Sequence, residues 1–326
     1  MKDGFGRRID YLRISVTDKC NLRCAYCLPV EGLAWLPRPA LLTFEEIVSA
    51  VRQMADLGLR AVRLTGGEPL VRRDLPELVR MIRAVPGIED LALSTNAVLL
   101  ADRATELREA GLDRVNVSVD TLQRDRFETI ARRPARFFDA MLEGIEEAER
   151  LGFAPLKINT VVLRGLNDDE VPDLAAITRE RPWHVRFIEL MPVEENLHLA
   201  ERFVGADEIL GRVAALEELV PDEGPPGNGP ARCFRFPGAP GSVGVITPLS
   251  HDYCDRCNRM RLTADGRLRT CLFGTHEVDL RTPLRAGVPI RAAVERALAG
   301  KPERHLLQLG SAKGSGGLAA LSQVGG

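Results

Sequence analysis

Over about the first 190 residues, strand-forming runs alternate with helix-forming runs, and the strands carry one polar face each. The strand candidates are Leu12–Thr17, Ala61–Thr65, Leu91–Asn96, Arg114–Asp120, Leu156–Val162 and Val185–Leu190. Helical patterns separate them at Thr43–Leu57, Asp74–Ala84, Asp102–Ala110, Phe137–Leu151 and Asp168–Arg179, the first opened by a capping box, Thr43-x-x-Glu46. Strands and helices in this order build a parallel sheet. Parallel strands covered on both faces read as continuous apolar runs. Here Leu12, Ile14 and Val16 alternate with Arg13, Ser15 and Thr17. The same period of two sets Arg63/Thr65, Ser94/Asn96, Asn116/Ser118/Asp120 and Lys157/Asn159 against Val, Leu and Ile. A sheet polar on one face and apolar on the other curls around a polar lumen with its helices outside. Six strands are too few for the full eight-stranded closure. The expected architecture is therefore α/β, a partial (β/α)6 TIM-like barrel with an open side over residues 1–205.

Three cysteines follow the first strand directly, Cys20, Cys24 and Cys27, spaced Cys-x3-Cys-x2-Cys with Tyr26 just before the last. Thiolates are soft ligands that suit zinc, copper(I) and iron–sulfur clusters. Structural zinc takes four protein ligands, and no histidine lies near this loop. Three thiolates can hold three corners of a [4Fe-4S] cube and leave the fourth iron open to bind and activate a ligand.

A second group, Cys254, Cys257 and Cys271, is spaced Cys-x2-Cys-x13-Cys. Spacing by itself leaves two readings for it: a second open cluster, or a zinc site completed by His276. Arg259 and Arg261 follow Cys257 and share one side of an extended segment, where guanidinium groups suit phosphate and planar acceptors. Ahead of this group lies a helical run, Ala206–Leu216, and a Pro- and Gly-rich stretch, 221–230, which reads as a loop or linker. Residues 206–326 are expected to form a smaller α+β domain around the second cysteine group. Seven cysteines in two tight groups with Cys233 left over argue for a reducing, cytoplasmic setting. A net charge of −2 gives no field that would draw nucleic acid or a membrane surface, and no apolar run reaches the ~20 residues of a span.

Both cysteine groups, the run Leu64-Thr65-Gly66-Gly67-Glu68-Pro69, the segment Leu12–Asp18 and the terminal Gly325-Gly326 together resemble one family, almost end to end. It is the GTP 3',8-cyclase family of molybdenum-cofactor (molybdopterin) biosynthesis, within the radical S-adenosylmethionine superfamily. The resemblance implies a lyase with two [4Fe-4S] clusters. The first, on Cys20, Cys24 and Cys27, would bind S-adenosylmethionine and deliver a 5'-deoxyadenosyl radical. Tyr26, Gly67, Ser118 and Met191 match cofactor-contact positions. The second, on Cys254, Cys257 and Cys271, would hold the guanine of GTP, with His276 no longer required. Arg13, Arg63, Ser94, Lys157, Arg259, Met260 and Arg261 match positions that hold GTP. Arg186 is a further phosphate partner by its chemistry, but its parity is opposite to that of Met191, so both face inward only if the strand bulges or ends between them. Hydrogen abstraction at the ribose C3' and addition to guanine C8 would give (8S)-3',8-cyclo-7,8-dihydroguanosine 5'-triphosphate. Gly325 and Gly326 would reach into the active site and support catalysis. The implied partners are GTP, S-adenosylmethionine, an unidentified electron donor and the next pathway enzyme, cyclic pyranopterin monophosphate synthase. A homodimer stays open.

Overall fold

The computed structural model describes residues 1–29, 31–192, 194–305 and 307. Its frame is a run of six parallel strands in sequence order: β1 (Tyr11–Ser15), β2 (Ala61–Thr65), β3 (Asp90–Thr95), β4 (Arg114–Ser118), β5 (Leu156–Val162) and β6 (Trp183–Glu189). Helices follow the strands as the apolar spacing requires. They are α1 (Phe44–Asp56), α2 (Leu75–Arg83), α3 (Ala104–Glu109), α4 (Arg124–Ala131), α5 (Arg136–Arg150) and α6 (Val171–Ala176). The capping box forms as expected: the Thr43 hydroxyl accepts from the Glu46 amide at 3.2 Å, and Glu46 returns an acceptor to the Thr43 amide at 2.8 Å. The apolar strand faces, Leu12, Ile14, Val62, Leu64, Leu91, Leu93, Val115 and Val117 among them, are fully buried with Val51, Leu78 and Leu107 of the helices in one continuous core.

Sequence reading assigned no helix between 120 and 136, yet α4 is there. Its apolar side is only Phe127, Ile130 and Ala131, too few for a clear period. Its last carbonyls accept from the Arg23 amide at 3.0 Å and the Ala25 amide at 2.9 Å, so this short helix anchors the first cysteine loop.

Residues 206–305 begin with α7 (Ala206–Ala214) and then add strands to both edges of the same sheet. At one edge β9 (Ser242–Ile246) runs parallel to β6 and is followed outward by the antiparallel β8 (Arg232–Arg235) and β7 (Val220–Asp222). At the other, β10 (Arg259–Leu262) runs parallel to β1, with antiparallel β11 (Arg267–Arg269) and β12 (Glu277–Asp279) beyond it. Two outer helices, α8 (Arg281–Arg285) and α9 (Arg291–Ala299), complete the described chain. The sheet is therefore an open, 12-stranded arc whose two ends both come from the C-terminal part. No helix among the described residues is long and apolar enough to cross a membrane.

Candidate active site

The polar strand faces converge, as the alternation required, on one lumen cavity of about 240 Å³. Of the residues that the sequence singled out, Arg13, Cys20, Cys24, Tyr26, Cys27, Arg63, Gly67, Ser94, Ser118, Met191, Arg259 and Arg261 all line it. Met191 and Arg186 both face the cavity because β6 ends at Glu189, between them. Five expected residues among those described do not line it. Met260 pairs with Leu12 on the apolar side of the sheet and is fully buried in the core, so its side chain is structural, as period two demands of a residue between Arg259 and Arg261. Lys157 points toward the lumen but donates to the Pro226 carbonyl at 2.6 Å, with the chain of the 221–230 loop over it. Cys254, Cys257 and Cys271 flank the cavity without lining it, while their neighbours Tyr253 and Leu272 do. Gly325 and Gly326 lie outside the described residues.

At one end of the cavity the first cysteine loop is held by the strand ends around it. The backbone of Gly66–Glu68 packs against that of Thr17–Lys19, with the Gly67 amide donating to the Thr17 carbonyl at 2.8 Å and the Glu68 amide to the Lys19 carbonyl at 2.8 Å. A Cβ on Gly67 would lie 2.3 Å from the Lys19 carbonyl oxygen, so the chain's own backbone already demands glycine there. The Glu68 carboxylate accepts from the Thr95 hydroxyl at 2.7 Å, the Asn96 amide at 2.7 Å and the Leu70 amide at 3.1 Å. Burial lifts its pKa to about 7 despite those donors. Tyr26 donates its hydroxyl to Asp120 at 2.7 Å, and burial raises that carboxyl to about 6.

The three thiols sit together in this buried loop. Burial pushes Cys20 up to about 11, with Glu68 adding to it. It raises Cys24 as well, and Asp120, Cys27 and Cys20 raise it further. Such thiols ionise when a cation takes the proton's place. Among the described residues no three His, Cys, Asp or Glu side chains close around one point at single-ion distance. Three soft thiolates gathered in one loop suit three corners of a [4Fe-4S] cube, and this donor set fits it by its chemistry. The second triad has a cation in place: the Lys301 ammonium donates to Cys257 Sγ at 3.5 Å and to the Arg259 carbonyl at 3.1 Å. Burial raises Cys257, and Lys301 with Arg259 more than offsets this. The His276 ring lies against Gly300.

The other end of the cavity is a cation cluster. Strand register sets Arg261, Arg13 and Arg63 side by side on β10, β1 and β2. From the other side Arg186 stands beside Asn159. Oriented to satisfy its donor neighbours, the buried Asn116 amide offers its oxygen to the guanidinium groups of both Arg63 and Arg186. Burial lowers Arg63, takes Arg261 down to about 10 and Arg186 to about 9, the latter helped by Arg63. Lys157 falls to about 6 through burial and then Arg186, Arg114 and Arg63. Among the described residues none of Arg63, Lys157 and Arg186 has a carboxylate within ion-pair distance, whereas Arg114 pairs with Asp90. Uncompensated buried cations are costly, and a polyanion offsets that cost.

Tyr11, Asn228 and Tyr253 also line the cavity and were not singled out by the sequence. Tyr11 shares the parity of Arg13 and was legible by that rule. Asn228 was not, because it comes from the loop.

Comparison with known proteins now bears on the site. Residues 14–177 match the family model of the radical SAM superfamily, and residues 183–307 match that of Molybdenum Cofactor Synthesis C. The GTP 3',8-cyclase of Pelotomaculum thermopropionicum is 50% identical over 94% of this chain and 95% of its own. That of Moorella thermoacetica is 46% identical over the full length of both. This chain belongs to the GTP 3',8-cyclase family. Among solved structures, Streptococcus suis SuiB bound to S-adenosylmethionine matches with a TM-score of 0.59 at 14% identity, over 88% of this chain and 68% of that one, a likeness of fold alone. Family membership makes this a radical S-adenosylmethionine enzyme with [4Fe-4S] clusters. The cysteine loop at one end of the lumen and the buried cations at the other are the parts that such chemistry needs.

Proposed function

We infer that the chain cyclises GTP to (8S)-3',8-cyclo-7,8-dihydroguanosine 5'-triphosphate, the first step of molybdenum-cofactor biosynthesis. The observation that carries the assignment to these residues is the single lumen with cluster-forming thiols at one end and buried, carboxylate-free cations at the other.

When bound, the first cluster and S-adenosylmethionine supply a 5'-deoxyadenosyl radical. Cys20, Cys24 and Cys27 hold that cluster. Tyr26, Gly67, Ser118 and Met191 border the cofactor, and Gly67 keeps the loop after β2 close against the cysteine loop. Cys254, Cys257 and Cys271 would hold the second cluster, whose open iron would take the guanine of GTP. Arg13, Arg63, Arg186, Arg259 and Arg261 hold the triphosphate through charge-assisted contacts, and Ser94 offers a hydroxyl alongside. Lys157, which donates to the Pro226 carbonyl, lies next to them. The lumen walls keep water and stray hydrogen donors from a carbon-centred radical. Gly325 and Gly326 support the radical step.

The chain divides by function into residues 1–205, the barrel, and 206–326, which carries the second cluster and the Gly-Gly tail. A cytoplasmic location, an electron donor, hand-over to cyclic pyranopterin monophosphate synthase and a homodimer complete the proposal.

The test is anaerobic reconstitution with reductant, S-adenosylmethionine and GTP, followed by mass analysis of the nucleotide. Cyclised GTP is expected, and deletion of Gly325 and Gly326 should abolish it while sparing iron content and GTP binding. Deoxyadenosine formed at the same rate without GTP would overturn the substrate assignment.

A further inference from the structure

Between β7 and β8 the chain passes through Gly224-Pro225-Pro226-Gly227-Asn228-Gly229-Pro230. Both strands lie at the β9 edge of the arc, yet the loop crosses beneath the lumen to the other side. Asn228 makes the latch. Its Nδ2 donates to Asp90 Oδ2 on β3 at 3.3 Å, and its Oδ1 accepts from Asn258 Nδ2, just before β10, at 2.9 Å. Asn258 is in turn fixed to Asp10 at 2.8 Å. The strap runs close over the cations: a Cβ on Gly227 would lie 2.6 Å from an Arg114 guanidinium nitrogen and 3.3 Å from Lys157 Nζ.

The strap is a partition. Asn228, Gly229 and Pro230 wall the lumen cavity, and the same three residues, with Tyr253, Arg256 and Arg259, wall a second cavity of about 270 Å³. Pro226, Gly227 and Gly229 are exposed on the strap's outer side, so little packing holds it down. Among the described residues its side-chain ties are the Asn228 latch and one bond from Lys157 to the Pro226 carbonyl. With its pKa near 6 the latched Lys157 is largely the neutral amine above that pH, and its bond to a carbonyl is weaker than that of the protonated form to a phosphate oxygen.

We propose that the Pro225–Pro230 strap is a substrate-displaced plug, which makes nucleotide binding depend on the third phosphate. Only a triphosphate reaches past the lumen arginines to Lys157, whose side chain takes up a proton and turns from the Pro226 carbonyl to the phosphate. Guanosine diphosphate stops at Arg63 and Arg186 and leaves the strap latched. The inference rests on the reading that the phosphates lie against the lumen arginines.

The experiment is equilibrium binding of GTP and GDP to the reconstituted holoenzyme without S-adenosylmethionine, by anaerobic calorimetry. Lys157→Met should cost GTP about tenfold to a hundredfold in affinity, the value of one charge-assisted contact, and leave GDP unchanged. Asn228→Ala, which opens the latch, should tighten GTP and not GDP. Hydrogen exchange on the wild-type enzyme gives a readout independent of any variant. The Gly224 amide at the foot of the strap, which donates to Asp222 at 2.6 Å, should exchange faster with GTP and at the same rate with GDP. A Lys157→Met variant that weakens both nucleotides equally, or a Gly224 amide that GTP slows or leaves unchanged, would make the strap a fixed wall and end the proposal. Arg63→Ala separates the two readings. It should weaken GTP and GDP alike, and if it changes neither, the lumen is not the phosphate site at all.

Discussion

Replacing Gly67 by alanine asks whether the superfamily-like Gly-Gly-Glu-Pro run serves the chain's own packing or only the cofactor. The added Cβ would lie 2.3 Å from the Lys19 carbonyl oxygen, 2.5 Å from its carbon and 2.6 Å from the Asp18 carbonyl oxygen. All three are backbone atoms, so no side chain can swing aside, and the loops after β1 and β2 must part by about 1 Å. Overpacking of this kind costs about 1–3 kcal/mol. Parting the loops also breaks the Gly67–Thr17 and Glu68–Lys19 hydrogen bonds, at about 1 kcal/mol each. The sum, about 3–5 kcal/mol, is a large share of the ~5–15 kcal/mol that holds a domain. Because the displaced segment leads into Cys20, the first cluster should suffer before the second. The assay is iron and sulfide per chain after anaerobic reconstitution, with thermal unfolding and S-adenosylmethionine binding on the same samples. Gly211→Ala is the control: it sits inside α7 with nothing within 4 Å of an added Cβ, and should be neutral or stabilising by about 0.5–1 kcal/mol. Wild-type iron content and unfolding midpoint in Gly67→Ala would refute the packing argument. If S-adenosylmethionine binding alone were lost, the glycine would serve the cofactor's approach.

Replacing Cys254, Cys257 and Cys271 together by alanine should leave about half of the ~8 iron per chain and preserve S-adenosylmethionine binding; zinc retained stoichiometrically by the unaltered chain after anaerobic handling would defeat the second-cluster assignment. GTP binding should take up protons. Lys157 is near 6 in the free enzyme and returns toward its ordinary higher value beside phosphate, so between those limits the complex holds one more proton than the free enzyme. Affinity should then fall by up to about tenfold per pH unit as pH rises above 6. Calorimetry at pH 7.5 in buffers of different ionisation enthalpy measures the uptake, and its persistence in Lys157→Met would assign it elsewhere.

The local code of this chain was legible through most of its barrel, α4 excepted. Period-two polarity named the lumen faces of β1 to β5, because a pleat fixes side without reference to any distant residue. The capping box opened α1 where its Thr-x-x-Glu stood, and the spacing of Cys20, Cys24 and Cys27 needed only one loop to bring the thiols together. Alternation also had the means to exclude Met260, whose neighbours on both sides face inward. What local pattern could not give was who pairs with whom across 50 residues or more. That β9 extends one edge of the sheet and β10 the other was decided by long-range pairing, which leaves no mark in either short strand. The same holds for the strap. Its glycines and prolines said only that the chain turns, and its reach to Asp90 and Asn258 follows from where β7 and β8 are hung. The cation cluster divides the same way: sequence put Arg13, Arg63 and Lys157 on one face, but only the folded arc buries them beside Arg186 and Arg261. There a charge that water would screen instead waits for a polyanion.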